Sequence, residues 1–305
     1  AWANYVRGVI AGCLARGLAP GGFDAVVDST VPVGAGLSSS AALEVATATL
    51  VEALSGRSLD PVDKARLCQE AEHEFSGVPC GIMDQLISSL GREGAALLID
   101  CRGLETRLVS LSDPAVVVLI VDSNVKHEHA GGQYAQRRAQ CEEAAQSLGR
   151  RTLRDAQIQM LNDRRSTLDP LLFRRAYHVI GENERTCRGA DLLARSDWSG
   201  FGRLMYDSHA ALRDSFEVSC HELDTLVALA AQIGMEGGVF GARMTGGGFG
   251  GCIVSLVRAD AVEPVAAELA RRYQQATGIT ATAFASRAAA GARGPRPLPR
   301  PARAA

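Results

Sequence analysis

A glycine-rich turn followed by serines is the segment best suited to chemistry on a phosphate. Residues 33–42 read VGAGLSSSAA, and a helix-favouring run of Ala, Leu and Glu continues from them. Glycine lets the backbone approach a ligand, and a helix N-terminus presents unpaired N–H groups and a positive dipole end, so the pattern suits phosphate. A serine oxygen beside phosphate also suits Mg²⁺. The P-loop signature is absent, and a capped helix without a ligand is the alternative.

Two carboxylates stand out for proton transfer and metal binding. Asp84 lies among apolar neighbours, Ile82, Met83 and Leu86, where an acid must be either paired or functional. Its functional use would be to accept a proton from a substrate hydroxyl. Glu72 lies on a predicted helix, where its oxygens would suit Mg²⁺. For both, the alternative is a surface or salt-bridged acid.

A second glycine-rich loop and one tyrosine complete the candidates. Residues 245–251 read TGGGFGG between two predicted strands, which is typical either of a loop that packs tightly on a phosphate or of a flexible turn. Tyr134 carries a hydroxyl that suits a sugar, with helix packing as the alternative. His127 and His129 are too close together for a helical metal pair, so we assign them no metal role.

The elements that must position these residues alternate between strands and helices without a strict repeat, which predicts the α+β class. The predicted strands are residues 23–33, 95–101, 115–121, 239–244, 252–257 and 279–284. The predicted helices are 41–54, 60–75, 85–90, 134–148, 173–193, 220–233 and 261–275, after a helix that is already under way at Trp2.

Bulk composition excludes several classes of protein. The 305 residues are 47% hydrophobic and 22% charged with a net charge of −2, which gives no bulk attraction to nucleic acid. No apolar run reaches the roughly 18 residues of a membrane span. The eight cysteines form no C-x-x-C pair, so we expect free thiols in a reducing, cytoplasmic setting. Residues 291–305, rich in Pro and Arg, predict a disordered tail.

The segments taken together resemble the galactokinases of the GHMP small-molecule kinase family. VPVGAGLSSSAALEVATATL, QEAEHEFSGVPCGIMDQLISSLG, LLIDCRGLET and RMTGGGFGGCIVSLV follow one another in the family's order, and the resemblance spans residues 2–290. Residues 79–85, PCGIMDQ, are especially similar to galactokinases. Mevalonate and homoserine kinases share the serine-rich and glycine-rich motifs but not the sequence between these motifs.

The resemblance implies a two-domain GHMP kinase fold. Its N-terminal domain, residues 1–112, would resemble the second domain of ribosomal protein S5, and its C-terminal domain, residues 113–290, would be ferredoxin-like. The implied reaction transfers the γ-phosphoryl group of MgATP to the 1-hydroxyl of α-D-galactose. The expected ligands are therefore galactose, ATP and Mg²⁺, with no nucleic-acid or membrane partner, and the expected state is a monomer.

The resemblance also implies a role for each matching residue. Asp84 would be the catalytic acid–base group and would face the sugar, together with Gly81 and Tyr134. Ser40 and Glu72 would hold Mg²⁺. The implied ATP-binding residues are Gly34, Gly36, Ser38, Ser39 and Ser40, with Trp2 near the adenine.

One family motif is missing from the sequence. The first motif of the family, approximately GRVNLIGEHTDY, has no match here, and the helix at Trp2 begins abruptly. We therefore expect the sequence to be a fragment, with an incomplete N-terminal domain and with poor activity or none on its own. Two other functions stay open: a kinase for a related amino sugar, and a non-catalytic regulator that responds to galactose and ATP. The intact serine loop favours an enzyme over the regulator.

Overall fold

The computed structural model of the chain describes residues 2–126 and 130–294, whose contacts divide them into two units. Unit 1 comprises residues 2–29, 40–92 and 290–294, and unit 2 comprises residues 30–39 and 93–289. The predicted domain bounds of 1–112 and 113–290 stay predictions. The predicted tail lies mostly outside the described residues, as do His127 and His129.

The regular structure of unit 1 consists mainly of helices in its described residues. Its helices are α1 (Ala3–Ala15), α2 (Ser39–Ser55), α3 (Pro61–Ala71), which continues as a π-helical turn (Glu72–Ser76), and α4 (Met83–Leu90). The Asp60 side chain starts α3 by accepting hydrogen bonds from the N–H groups of Val62 and Asp63, and Pro61 fits the first turn. Apolar residues of α1, α2 and α3 form the core of the unit: Val9, Cys13, Val45, Ala48, Val51, Leu67, Cys68 and Ala71.

The predicted strand at residues 23–33 is wrong. These residues form no strand, and the side chain of Val26, in the middle of the segment, is 97% exposed. A β-branched composition favours extended backbone, but a strand also needs a hydrogen-bonded neighbour and a buried face. No residue of this segment is buried, and neither of the two sheets in the described residues includes it.

Unit 2 contains both strands and helices. Its strands are β1 (Ala95–Asp100), β2 (Glu105–Ser110), β3 (Val116–Lys126), β4 (Val239–Met244), β5 (Gly250–Arg258) and β6 (Thr282–Ser286). Its helices are α5 (Ala130–Ser147), α6 (Ile158–Asp163), α7 (Pro170–Ala194), α8 (Trp198–Ala211), α9 (His221–Ile233) and α10 (Val262–Thr277). Strand β2 and helices α6 and α8 are absent from the sequence prediction.

The main sheet of unit 2 is antiparallel with the order β4-β5-β3-β6, and β1 and β2 form a separate hairpin. Helices α5–α9 connect β3 to β4, and α10 connects β5 to β6, which is the β-α-β-β-α-β arrangement of ferredoxin-like domains. The apolar core packs α9 and α10 onto the sheet through Leu119, Leu223, Ile253, Leu269 and Tyr273, among others. This mixture of helices and antiparallel strands confirms the α+β class.

The last described residues of unit 1 are bonded to its helix α4. The backbone N–H groups of Gly291 and Ala292 donate to the carbonyl oxygens of Gly91 and Ser88, which ties residues 291–292 to the end of α4 within unit 1. None of the helices in the described ranges is both long and apolar enough to cross a membrane.

Candidate active site

The predicted glycine turn is a tight loop that leads into the N-terminus of α2. Gly34, Gly36 and Ser38 have φ values of 72°, 73° and 58°, all in the left-handed region. Glycine adopts this region freely, but a serine there costs roughly 1–2 kcal/mol. Backbone strain of this kind concentrates at functional sites. The conformation therefore supports a ligand-binding role more than a plain capped turn.

The second glycine loop packs directly against the first one, within unit 2. A methyl group added to Gly36 would lie 3.2 Å from the carbonyl oxygen of Thr245, and one added to Gly246 would lie 2.7 Å from the Cα of Gly36. A methyl group on Gly251 would similarly lie 2.6 Å from the carbonyl oxygen of Ala35. The two backbones are therefore in contact at a distance that only glycine permits. The loop at 245–251 is held by packing, which disfavours the interpretation as a flexible turn.

A third segment of unit 2 fixes the second glycine loop. The N–H of Phe249 donates to the carbonyl oxygen of Val218 at 2.7 Å. The residue before Val218, Glu217, has a left-handed φ of 57°. The buried guanidinium of Arg137 donates to the carbonyl oxygens of Phe216 and Glu217 at 2.7 and 2.9 Å. Arg137 of α5 therefore supports the loop through Val218, a role that the sequence prediction missed.

Tyr134 lies one turn before Arg137 on α5 and faces the same loop. Its side chain is 37% exposed, and a methyl group on Gly247 would lie 3.7 Å from its Cδ2 atom. The structure therefore brings Tyr134 and the second glycine loop together. An exposed edge on this ring leaves room for a ligand contact.

In unit 1, a network of buried polar groups contains the predicted metal ligand Glu72. The side-chain amide nitrogen of Gln85 donates to Oε2 of Glu44 at 3.0 Å and to Oε2 of Glu72 at 2.8 Å. The Cys80 thiol also donates to Oε2 of Glu72, at 3.2 Å. Ser40, the other predicted metal ligand, lies one helical turn before Glu44 on the same face of α2. The sequence therefore folds so that α2, α3 and α4 direct oxygen-bearing side chains at one another.

Burial controls the charge of this network. Desolvation, opposed by the Gln85 hydrogen bond and reinforced by the charge of Glu72, raises the pKa of Glu44 to about 8. Glu44 is fully buried, so at neutral pH its protonated form predominates beside Glu72. Among the described residues, Oε1 of Gln85 is buried and has no hydrogen-bond partner. An acceptor oxygen without a donor indicates a place where a cation or a donor belongs.

Glu44 and Gln85 were missed by the sequence prediction. A signal for Glu44 was available, because it is an acid placed between Leu43 and Val45 in a largely apolar helix. Gln85 directly follows Asp84 and gives no signal by residue type. Its role depends on the contact between α4 and α2, which sequence spacing does not reveal.

Asp84 lies in the first turn of α4, next to Gln85 in the chain. Its side chain is half-buried, and among the described residues no donor or cation pairs with it. The predicted salt-bridge alternative is therefore not what the structure contains. Gly81 is exposed, its φ is not left-handed, and a methyl group there would lie more than 4 Å from every atom of the described residues. Neither backbone strain nor crowding within the chain requires glycine at 81.

Trp2 is the remaining predicted site residue. It precedes α1 in unit 1, and its side chain is 65% exposed. No group of three or more His, Cys, Asp or Glu side chains in the described ranges forms a metal cluster. Magnesium does not require such a cluster, because it commonly takes one or two carboxylates and keeps several waters.

Comparison with known proteins places these features in a family context. The model of the GHMP kinases N terminal domain matches residues 4–92, and that of the GHMP kinases C terminal domain matches residues 190–275. The chain is similar to the galactokinase of Homo sapiens, with 53% identity over 96% of this chain and 72% of that protein.

Solved structures show the same relationship. The galactokinase of Lactococcus lactis complexed with galactose superposes with a TM-score of 0.87 and 29% identity, over 95% of this chain and 76% of that one. The mevalonate kinase of Methanococcus jannaschii superposes with a TM-score of 0.55 and 17% identity, over 93% of this chain and 74% of that one, a likeness of fold alone.

Proposed function

The chain belongs to the galactokinases of the GHMP kinase family, and on that premise we propose that it transfers the γ-phosphoryl group of ATP to the 1-hydroxyl of galactose. One observation of the structure carries the proposal: the backbone contact between the two glycine loops at Gly36 and Gly246. Such contact leaves the strained first loop fixed before a ligand arrives. Phosphoryl transfer depends mainly on this kind of positioning and on charge stabilisation.

Residues 34–40 bind the phosphates of ATP in this proposal. The first turn of α2 has backbone N–H groups without intrahelical partners, and Ser39 and Ser40 add hydroxyl donors. Together with the helix dipole these groups stabilise negative charge. Trp2, exposed before α1, contacts the adenine base.

Ser40 and Glu72 would hold Mg²⁺. The buried Oε1 of Gln85, which has no hydrogen-bond partner among the described residues, supports this assignment, because it lies in the same network as Glu72 and Mg²⁺ prefers oxygen. When bound, Mg²⁺ neutralises charge on the transferred phosphoryl group. Gln85 orients Glu72 through its amide, and Glu44 stays protonated so that it does not repel the Glu72 carboxylate.

Asp84 is the acid–base group of the proposal. Within the described part of the chain no donor or cation pairs with this half-buried carboxylate, so it is placed to accept the hydrogen of the sugar 1-hydroxyl. Gly81 supports substrate approach, because no described residue occupies the space where a side chain would lie. Tyr134 donates or accepts a hydrogen bond with the sugar. A cytoplasmic location and a monomeric state remain predictions.

A comparison of acceptors tests the proposal. The chain is incubated with MgATP and, separately, galactose, N-acetylgalactosamine, mevalonate or homoserine, and ADP release is measured. Galactose should support the highest rate. Faster release with N-acetylgalactosamine would indicate the amino-sugar kinase, and release with mevalonate or homoserine but not galactose would contradict the proposal.

A further inference from the structure

Unit 2 contains a cavity that the proposed function does not use. It has a volume of about 220 Å³ and lies among the β1–β2 hairpin, α7, α8 and the end of β4. No residue assigned above to ATP, Mg²⁺ or galactose lines it. Most of its wall is apolar and comes from Leu97, Val109, Leu193, Phe201, Leu204 and Met205.

The polar part of the wall is a cluster of charged side chains. Nε of Arg185 donates to Oε2 of Glu182 at 2.8 Å, and Nη1 of Arg243 donates to Oε1 at 3.2 Å. The hydroxyl of Ser208 donates to the same Oε1 at 2.5 Å. Both oxygens of the single carboxylate therefore already accept hydrogen bonds from the protein.

The charges of this cluster do not balance. The ionisable side chains that line the cavity are two arginines and one glutamate, which leaves one excess positive charge. Among the described residues, Nη2 of Arg185 is buried and has no hydrogen-bond partner. Because Arg185 and Arg243 share the single carboxylate of Glu182, part of their positive charge is unmatched beside an apolar wall, which is costly. A monoanion would restore the balance, whereas a cation would add to the excess.

The volume of the cavity and the side chains of its wall restrict which monoanion can bind. A dry cavity of about 150 Å³ accommodates benzene, so this cavity accommodates a body slightly larger than one aromatic ring. Apolar and aromatic walls favour an apolar body, and a planar guanidinium favours a carboxylate over an isolated hydroxyl. We propose that this cavity binds a small amphipathic carboxylate, with its apolar body against Phe201 and its carboxylate at Arg185 and Arg243.

Calorimetric titration with phenylacetate tests the inference on the full chain. Saturable binding with a Kd on the order of 0.1–1 mM is expected for a ligand of this size. The neutral 2-phenylethanol and the cationic phenethylamine are matched controls, and each should bind at least about tenfold more weakly. Binding is measured with MgATP and galactose present, so that their proposed sites are not open to the probe.

Three variants assign the binding to this cavity. Arg185→Met removes the unmatched guanidinium, and Ala96→Leu fills part of the cavity from β1; each should weaken phenylacetate binding about tenfold or more. Arg188→Met is the control, because Arg188 lies on the same helix but does not line the cavity. Circular dichroism establishes that each variant is folded, and Ala96→Leu keeps the test valid if Arg185→Met unfolds.

Two results would overturn the inference. One is the absence of saturable phenylacetate binding up to about 20 mM, far above the expected Kd. The other is binding that Ala96→Leu leaves unchanged, or that phenethylamine matches. Neither result bears on the proposed kinase function, because the two sites share no residue.

Discussion

The pH dependence of stability should reveal the buried acid Glu44. An acid whose pKa is higher in the folded than in the unfolded chain stabilises the folded state while it is protonated. This stability is fully present below the unfolded pKa, 4.5, and is lost as the pH rises through the folded pKa, about 8. Desolvation of the fully buried carboxyl group is the main physical cause. Glu44→Gln removes the titration but keeps the shape and one acceptor oxygen for Gln85.

The magnitude follows from these two pKa values. Between about pH 5 and about pH 7.5, one such group lowers the free energy of unfolding by about 3 kcal/mol. Burial lowers the pKa of His178 to about 4, which acts in the opposite direction, but His178 is present in both proteins and its effect cancels. The advantage of the wild type over Glu44→Gln should therefore fall by about 3 kcal/mol across this interval.

Urea unfolding followed by circular dichroism at the two pH values measures this difference. Glu74→Gln, which alters an exposed carboxylate near Glu72, is the control and should follow the wild type. A difference between wild type and Glu44→Gln that stays constant with pH would refute the reasoning. It would mean that Glu44 is ionised in the folded protein, held by a partner that the network around Gln85 does not contain.

Three further substitutions test the loops and the sugar contact. Gly36→Ala should raise the KM for ATP by about tenfold or more, because its methyl group would displace the second glycine loop. The control is Gly56→Ala, since Gly56 has a similar φ of 67° but no described atom near the added methyl group. This control should reduce stability and leave the KM for ATP unchanged. Arg137→Met should raise the KM for ATP by loosening the support of the second loop, and Arg138→Met, next to it and exposed, should not. Tyr134→Phe should raise the KM for galactose about 2–10-fold, the value of one hydrogen bond, and leave the KM for ATP unchanged.

Steady-state kinetics of each variant decides these three predictions. Equal effects of the Gly36 and Gly56 substitutions would mean that backbone strain, and not loop contact, determines the outcome. A larger effect of Arg138→Met than of Arg137→Met would contradict the proposed support. An unchanged KM for galactose in Tyr134→Phe would leave Tyr134 as a packing residue only.

Much of the fold was predictable because its elements carry strong local signals. Strand β4 was predicted at residues 239–244 and forms at Val239–Met244, and helix α2 was predicted within two residues of its ends. The periodicity of apolar residues reflects which side of an element is buried, so it predicts the helices and strands that bury one face. Strand β2 was missed because only Val109 of its six residues is buried. The segment at 23–33 was mistaken for a strand because composition does not report whether a partner strand is present.

The parts of the candidate site that could be predicted are those whose local sequence is unusual. The two glycine loops and Asp84 stand out by composition or by an acid among apolar neighbours. Gln85, by contrast, acts through a contact across 41 positions of the chain with Glu44. Arg137 acts on Phe216 and Glu217 across 79 and 80 positions. Contacts of this kind depend on tertiary structure, so no local pattern contains them.

The central claim is phosphoryl transfer to galactose with Asp84 as the acid–base group. Product analysis by phosphorus NMR, with galactose and MgATP, tests it in the wild type and in Asp84→Asn, which keeps the shape but cannot accept the proton. We predict that the wild type forms galactose 1-phosphate and that Asp84→Asn forms it about 10²–10⁴-fold more slowly. Formation of galactose 1-phosphate at equal rates in both proteins would contradict the account.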